Sequence, residues 1–571
     1  MNSEPRLLTP FQTASQLVRS FYEIGLRHVI ISPGSRSTPL TLAFSYHSGF
    51  NKKVILDERS AAFTALGIGK ESGKPAILVC TSGTAAANYH PAIAEALESG
   101  VPLIACTADR PPSLRGIGSS QTLDQIKIFG DSAVWFHEMG EPADSEEDRQ
   151  RIKYAARQAM EESIRTGGAS HLNIPFRKPL EPNQSLIESE KKGFDEQIES
   201  LKYSSDPSQA YTSTISFSQD VSKLINQSKR PLIIAGPSDP FRQQSDSILK
   251  LSSHLNAPVI AEPGSGIQQT PHQIKRFELI IRNNKALKRL RPDLIIRFGD
   301  QPFSKSLLTA IHQYRDVPLI RFDARNAWQD HEMNTLHRIR LESNDRIELS
   351  EIHHKKNTGY LESWKEPEQV AESTLSKALN TTATLCDGHV FSHVASNLPD
   401  HWNVMLSNSL PVRDAALFGS PEGQLFLNRG AAGIDGILST ALGTAVSSGS
   451  PTCCMIGDLA FLHDSNALLS IRHISTPFVI VVINNNGGNI FRMLPIHEHD
   501  DVYTDYFETP QKAKLEHLAL AHSMEYRQIN TLDELIKLTF DGLEADVKPV
   551  VVECITNPEN SMNLRRKLWG A

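Results

Sequence analysis

The feature that most restricts the fold of this 571-residue chain is the repeated return of short, continuous apolar runs that stop in Pro, Gly, Asp, Ser or Asn. RHVIISPG, KVILDE, PAILVCTSG and VPLIACTAD fall within the first ~180 residues, with amphipathic stretches such as RSAAFTALGIGKES between them. A run that is apolar at every position has no face for water. Each therefore reads as a strand of a parallel sheet covered by helices on both sides, an α/β arrangement. RPLIIAGPSD, APVIAEPG, PDLIIRFGD and VPLIRFDA form a second series; HWNVMLSNS, PTCCMIGD, PFVIVVINNN and KPVVVECIT form a third. Polar stretches separate the three, so the expected layout is α/β domains at 1–182, 213–343 and 371–571 joined by linkers at 183–212 and 344–370. No fixed-period repeat is present.

Composition removes several function classes. At 39% hydrophobic, with no apolar run near the ~20 residues that span a bilayer, the chain is not expected to cross a membrane. Its first residues, MNSEPRLLTPFQTASQ, lack a basic stretch followed by an apolar core, so a cytoplasmic location is expected. A net charge of −7 argues against a nucleic-acid partner, and an anionic small substrate would need a local arginine cluster. The six cysteines (80, 106, 386, 453, 454, 554) lack metal or redox spacing and read as reduced core residues. GIGKESG (67–73) imitates part of a dinucleotide fingerprint, but it ends a helix instead of joining a strand to a helix, so NAD is excluded.

The chemistry concentrates in GDLAFLHDSNALLSIRHISTPFVIVVINNNGG (457–488). A strand, a helix and a second strand make a βαβ unit whose strands are parallel and finish on one edge of the sheet. Asp458 and Asn485, 27 positions apart, can meet there. One carboxylate, one amide oxygen and a backbone carbonyl near Gly487 form a hard oxygen set suited to Mg²⁺ on a diphosphate, with Mn²⁺ able to replace it. Taken singly, the Asp is a helix cap and NNNGG a turn; the pairing at this separation is what changes the reading.

This pattern resembles the thiamine diphosphate motif, with Leu459 where that motif usually has Gly. The resemblance implies three doubly wound parallel-sheet domains of the thiamine diphosphate-dependent enzyme type, and a carboxylate from another domain to activate the cofactor. Glu58, in LDERSAAFTALGIG, is that candidate, followed by a small-residue helix on which a flat ring could rest. In such enzymes the two cofactor-binding domains usually come from different subunits, which implies a homodimer or dimer of dimers with active sites at the subunit interface.

SPGSRSTPL, DERS, TADRPP, NRGAAGIDG, GDLAFLHD and NNNGGNIF, in that order, closely resemble the 2-succinyl-5-enolpyruvyl-6-hydroxy-3-cyclohexene-1-carboxylate (SEPHCHC) synthases of menaquinone biosynthesis. The match covers the first and third domains; in the middle one only Lys305 looks like a substrate contact, with Ser306 where a second base is expected. The resemblance implies decarboxylation of 2-oxoglutarate and a Stetter-like conjugate addition of the succinyl carbanion equivalent to isochorismate. Both substrates are dicarboxylates, which guanidinium forks bind well. Ser409 and Arg413 are assigned to 2-oxoglutarate, and Arg36, Arg110, Gln121 and Lys305 to isochorismate, with Ser35 and Arg429 as further substrate contacts. Ile434 would hold the cofactor bent, while Ile490 and Phe491 would keep the reacting centre dry. The rival readings are an acetolactate synthase-like carboligase and a non-catalytic relative that kept the fold.

Overall fold

The computed structural model describes residues 6–201, 213–268, 270–325, 328–355, 359–545 and 547–570. Six parallel strands, β1 (His28–Ile31), β2 (Asn51–Val54), β3 (Ala76–Cys80), β4 (Leu103–Asp109), β5 (Ala133–Glu138) and β6 (Ala169–Pro175), make a sheet in the order β2-β1-β3-β4-β6-β5. After β7 (Thr214–Ile215) come β8 (Pro231–Ala235), β9 (Val259–Ala261), β10 (Leu294–Phe298), β11 (Leu319–Asp323) and β12 (Thr335–Arg340), parallel in the order β12-β11-β10-β8-β9. The short β13 (Arg346–Ile347) returns to pair with β7. The third sheet holds β14 (Asn403–Leu406), β15 (Gln424–Leu427), β16 (Thr452–Gly457), β17 (Phe478–Asn484), β18 (Glu525–Ile529) and β19 (Val550–Ile555), in the order β15-β14-β16-β17-β19-β18.

The fold is therefore α/β with three parallel sheets, and the first and third share one strand order. In each, the chain leaves the first strand to one side and returns to the third on the other, between β1 and β3 and between β14 and β16. Such a reversal opens a crevice at the carboxyl ends of the strands, where α/β sheets bind ligands. The inner strands β3 and β4 are buried at every position, as their unbroken apolar runs require.

Strands missing from the apolar series have identifiable reasons. β5, β12, β15 and β18 are edge strands, and β5 and β12 keep a partly wet face. β6 lies inside its sheet yet carries Ser170, His171 and Asn173, all buried. β2 ends at Val54, so Ile55–Asp57 form the turn into the helix Glu58–Ser72. Residues 465–473, expected as α-helix, form a 3₁₀ helix. Within the expected 183–212 linker lies the helix Gln184–Leu201, whose Phe194 is buried in the first core and whose Glu190 pairs with Arg19 at 2.5 Å; residues 202–212 are outside the described ones.

Contacts gather the chain into two compact units: Met1–Gln209 with Asn428–Gly449 and Asp464–Ser475, and the remainder. In the first unit the helix Glu58–Ser72 packs along the helix Ile437–Ser448, and Gly67 and Gly443 let the two backbones touch: a Cβ on either would strike a carbonyl of the other helix, at Thr440 or Thr64. Gly67 of this small-residue helix thus serves close helix packing. Among the described residues no helix is long and apolar enough to cross a membrane, and all six cysteines are buried with no disulfide between them.

Candidate active site

At the carboxyl edge of the first sheet, loops after β1, β3 and β4 converge on Thr81 and Ser82. Arg36, 6% exposed, donates its backbone N–H to Thr81 Oγ1 at 3.1 Å and Nη1 to the Phe176 carbonyl at 2.8 Å, while its buried Nε has no acceptor. Arg110 donates Nη1 to Ser82 Oγ at 2.6 Å and Nη2 to the Ser120 carbonyl at 2.9 Å. Ser82 Oγ in turn donates to the carbonyl of Gln121, a residue at φ 58°. Ser35 is exposed in the same loop as Arg36. Burial first, and then the neighbouring Arg110, lower the Arg36 pKa. Two guanidiniums this close, one with an unused buried N–H, form a receptor for a carboxylate. A buried lattice supports them: Asn173 donates to Asp109 Oδ2 at 2.9 Å and Glu138 Oε2 at 2.7 Å, and Arg115 bridges both carboxylates at 2.8 Å.

Glu58 opens its helix after Asp57, whose side chain caps it by accepting from Arg59 N at 2.8 Å and Ser60 N at 3.3 Å. Glu58 is half-buried; burial raises its pKa above the ordinary value, and the Asp57 carboxylate adds to the rise. In the same unit Glu95, 3% exposed, accepts from the backbone N–H groups of Gly430, Ala431 and Ala432 at 2.9, 2.7 and 3.3 Å. It thereby fixes the loop that carries the half-buried Arg429 and Ile434.

On the third sheet, Asp458 follows β16 and Asn485 follows β17, as the βαβ reading requires. Gly487 N donates to Asp458 Oδ2 at 2.7 Å, which ties the two loops together, and Leu459 N donates to Oδ1 at 2.9 Å. Both partners are neutral backbone groups, and among the described residues no cation pairs with this 7%-exposed carboxylate; burial, with Asp387 adding, pushes its pKa up to about 6. Gly487 sits at φ 121°, where a Cβ would run into the Glu508 carbonyl. Among the described residues there is no cluster of three or more His, Cys, Asp or Glu side chains able to hold a metal. The set expected from the sequence, one carboxylate with amide and backbone oxygens, is not of that kind.

Asn485 donates Nδ2 to Asp387 Oδ2 at 3.2 Å, and Arg565 Nη2 donates to the same carboxylate at 2.8 Å. Arg565 also forks onto Asp414, with Nε 2.9 Å from Oδ1 and Nη2 bonded to Oδ2. Burial opposes the charge of Arg565, but Asp414 and Asp387 outweigh it and raise its pKa; burial pushes Asp414 up to about 6. In the same unit a cavity of about 600 Å³ is lined by Glu278, Lys305, Arg413, Asp414, Ile490 and Arg565. Ser409, at φ 70°, starts the helix Leu410–Phe418 and accepts from the Arg413 guanidinium through its carbonyl. Burial lowers the Arg413 pKa, against Asp414 and Glu278. Ser306, where a second base was expected, donates to Glu278 Oε2 at 2.8 Å. Phe491 packs edge-on against Phe507 at 5.6 Å and is not among the cavity's lining residues.

Lys305, Arg413 and Ile490 thus share one cavity, and Arg36, Arg110 and Gln121 share one loop cluster. Sequence reasoning missed Ser82, Glu95, Asp387, Asp414 and Arg565. Arg565 left a trace: it lies three residues after Met562 and three before Leu568, on the buried stripe of its helix, where an arginine must have partners.

Comparison with known proteins bears on this geometry. Residues 11–128 match the model for the thiamine pyrophosphate enzyme N-terminal TPP binding domain, and residues 415–554 that for the C-terminal TPP binding domain. A 2-succinyl-5-enolpyruvyl-6-hydroxy-3-cyclohexene-1-carboxylate synthase from Gloeothece citriformis is 36% identical over 95% of this chain and 95% of its own length. Proteins of the same name from Haloarcula marismortui (37%, 94% of each chain) and Oceanobacillus iheyensis (33%, 95% of this chain and 94% of its own) are similarly related.

Proposed function

The chain belongs to the SEPHCHC synthases, thiamine diphosphate-dependent transferases of menaquinone biosynthesis, and from that membership we propose that it decarboxylates 2-oxoglutarate and joins the succinyl unit to isochorismate, releasing SEPHCHC and CO₂. It would work in the cytoplasm as a homodimer or dimer of dimers with sites at the subunit interface. Thiamine diphosphate, when bound, supplies the nucleophilic carbon that attacks the keto group and accommodates the electron pair left by CO₂.

The observation that carries the reading is the 2.7 Å bond from Gly487 N, on the loop that also presents Asn485, to Asp458, a buried carboxylate with no counter-charge among the described residues. Mg²⁺, or Mn²⁺ in its place, answers that need: Asp458, Asn485 Oδ1 and the Gly487 carbonyl would hold it against the diphosphate. Glu58 would exchange a proton with the aminopyrimidine ring, a role its raised pKa suits. Arg36, Arg110, Gln121, Ser35 and Lys305 would bind isochorismate, with the free Nε of Arg36 directed to a carboxylate. Ser409 and Arg413 would bind 2-oxoglutarate, with Arg429 as a further substrate contact. Ile434 would hold the cofactor bent, and Ile490 and Phe491 would exclude water.

Incubation with thiamine diphosphate, Mg²⁺ and 2-oxoglutarate, with and without isochorismate, tests this by product mass. SEPHCHC should form only with both substrates, and Glu58→Gln should cut turnover at least ~100-fold. Acceptance of pyruvate in place of 2-oxoglutarate, giving acetolactate, would point to the other carboligase class.

A further inference from the structure

We propose that Asp387, clamped by Arg565, is the positioning residue that decides which end of the Asn485 amide faces the metal. This rests on the reading above that Asp458 and Asn485 hold Mg²⁺.

An asparagine amide can turn over with little change of shape, exchanging oxygen for NH₂. Only the oxygen can ligate a hard cation; the other orientation would aim N–H dipoles at it. Something must therefore select the orientation, and a partner that can only accept does so. Asp387 Oδ2 lies 3.2 Å from Asn485 Nδ2, and as a carboxylate it has no hydrogen to offer a reversed amide. Asn489 Nδ2, 3.0 Å from Asn485 Oδ1, agrees with the same orientation and leaves that oxygen a second lone pair.

Asp387 cannot swing away to relieve a mismatch. It is 1% exposed, and its carboxylate is saturated: Oδ1 accepts from Thr556 Oγ1 at 2.6 Å and Ser561 Oγ at 3.2 Å, while Oδ2 shares Asn485 with Arg565 Nη2 at 2.8 Å. Arg565, 2% exposed on its side chain, is held by its fork onto Asp414. The chain of contacts thus runs by direct hydrogen bonds from the helix Pro558–Trp569 to the loop of Asn485, as in metal sites where an outer partner orients a ligand.

The test is calorimetric titration of thiamine diphosphate into the intact oligomer at a series of Mg²⁺ concentrations, alongside the melting temperature of the cofactor-free protein. Asp387→Asn should raise the Mg²⁺ concentration that half-saturates cofactor binding about 10–100-fold. Excess Mg²⁺ should restore its kcat, with the KM for 2-oxoglutarate unmoved. A lowered melting temperature with an unchanged Mg²⁺ requirement would overturn the proposal, because it would mean that Asp387 is only structural. Should Asp387→Asn fail to fold, Thr556→Val keeps both ion pairs and should still raise the requirement several-fold; no change there is equally fatal. Cofactor binding by the unaltered protein that ignores Mg²⁺ would instead defeat the metal reading itself.

Discussion

Charged residues without water are the most informative single positions in this protein, because each must have an answer in its surroundings. Arg565 finds two aspartates; Asp464 accepts from the N–H and hydroxyl of Ser439, at 2.8 and 3.1 Å. Burial pushes Asp464 up to about 7 from an ordinary 3.8. Its neutral form is the favoured one in the fold, so its stabilising contribution is whole below about pH 4 and is lost as pH rises through 7. The loss should be on the order of 4 kcal/mol. Asparagine can keep both contacts, since its oxygen accepts from the backbone and the serine hydroxyl can turn to accept from its NH₂. Asp464→Asn should therefore gain on the unaltered protein in urea unfolding as pH goes from 5 to 8, and a constant difference would contradict the assignment. The sequence named Asp458 and Glu58 because their motifs are local. It could not name Asp387 or Glu95, whose partners lie roughly a hundred to several hundred residues away in the chain.

For the elements, an unbroken apolar run was enough to mark a buried strand, while β6, buried at every position, was missed because Ser170, His171 and Asn173 interrupt its run. β3, β4, β16 and β17 are legible as apolar runs; β5 and β18, with polar positions at a sheet margin, are not. The helix Glu58–Ser72 shows a subtler limit. Its alanines and glycines announce a small-residue face, but only the packed helix Ile437–Ser448 says what that face is for. Ordinarily Gly→Ala within a helix gains about 1 kcal/mol. At Gly443 the added Cβ would strike the Thr64 carbonyl, so Gly443→Ala should instead lose about 1–3 kcal/mol in urea unfolding. A stabilised variant would mean that the two helices are not in backbone contact.

At the scale of the molecule, the first and third sheets repeat one strand order, with Arg36 following the strand at one reversal and Ser409 and Asp458 following the two strands at the other. The proposal that subunits share active sites makes a stoichiometric prediction. Glu58→Gln and Asp458→Ala should each be inactive alone. Co-expressed, half of the randomly mixed dimers would carry one site with both residues intact, so about a quarter of full activity should return. If each site belonged to a single chain, nothing would return, and measuring kcat of the purified mixed dimer distinguishes the two.

The sequence by itself determined the α/β class, the parallel sheets and the placing of Asp458 and Asn485 after adjacent parallel strands, because unbroken apolar runs and the hand of a βαβ crossover are local rules that need no distant partner. Only the tertiary structure decided that Arg36 Nε meets no acceptor among the described residues, that Glu95 holds the Arg429 loop and that Arg565 and Asn485 share Asp387. Those facts depend on which residues folding brings within 3 Å across long stretches of chain, and chain position alone carries no such distance.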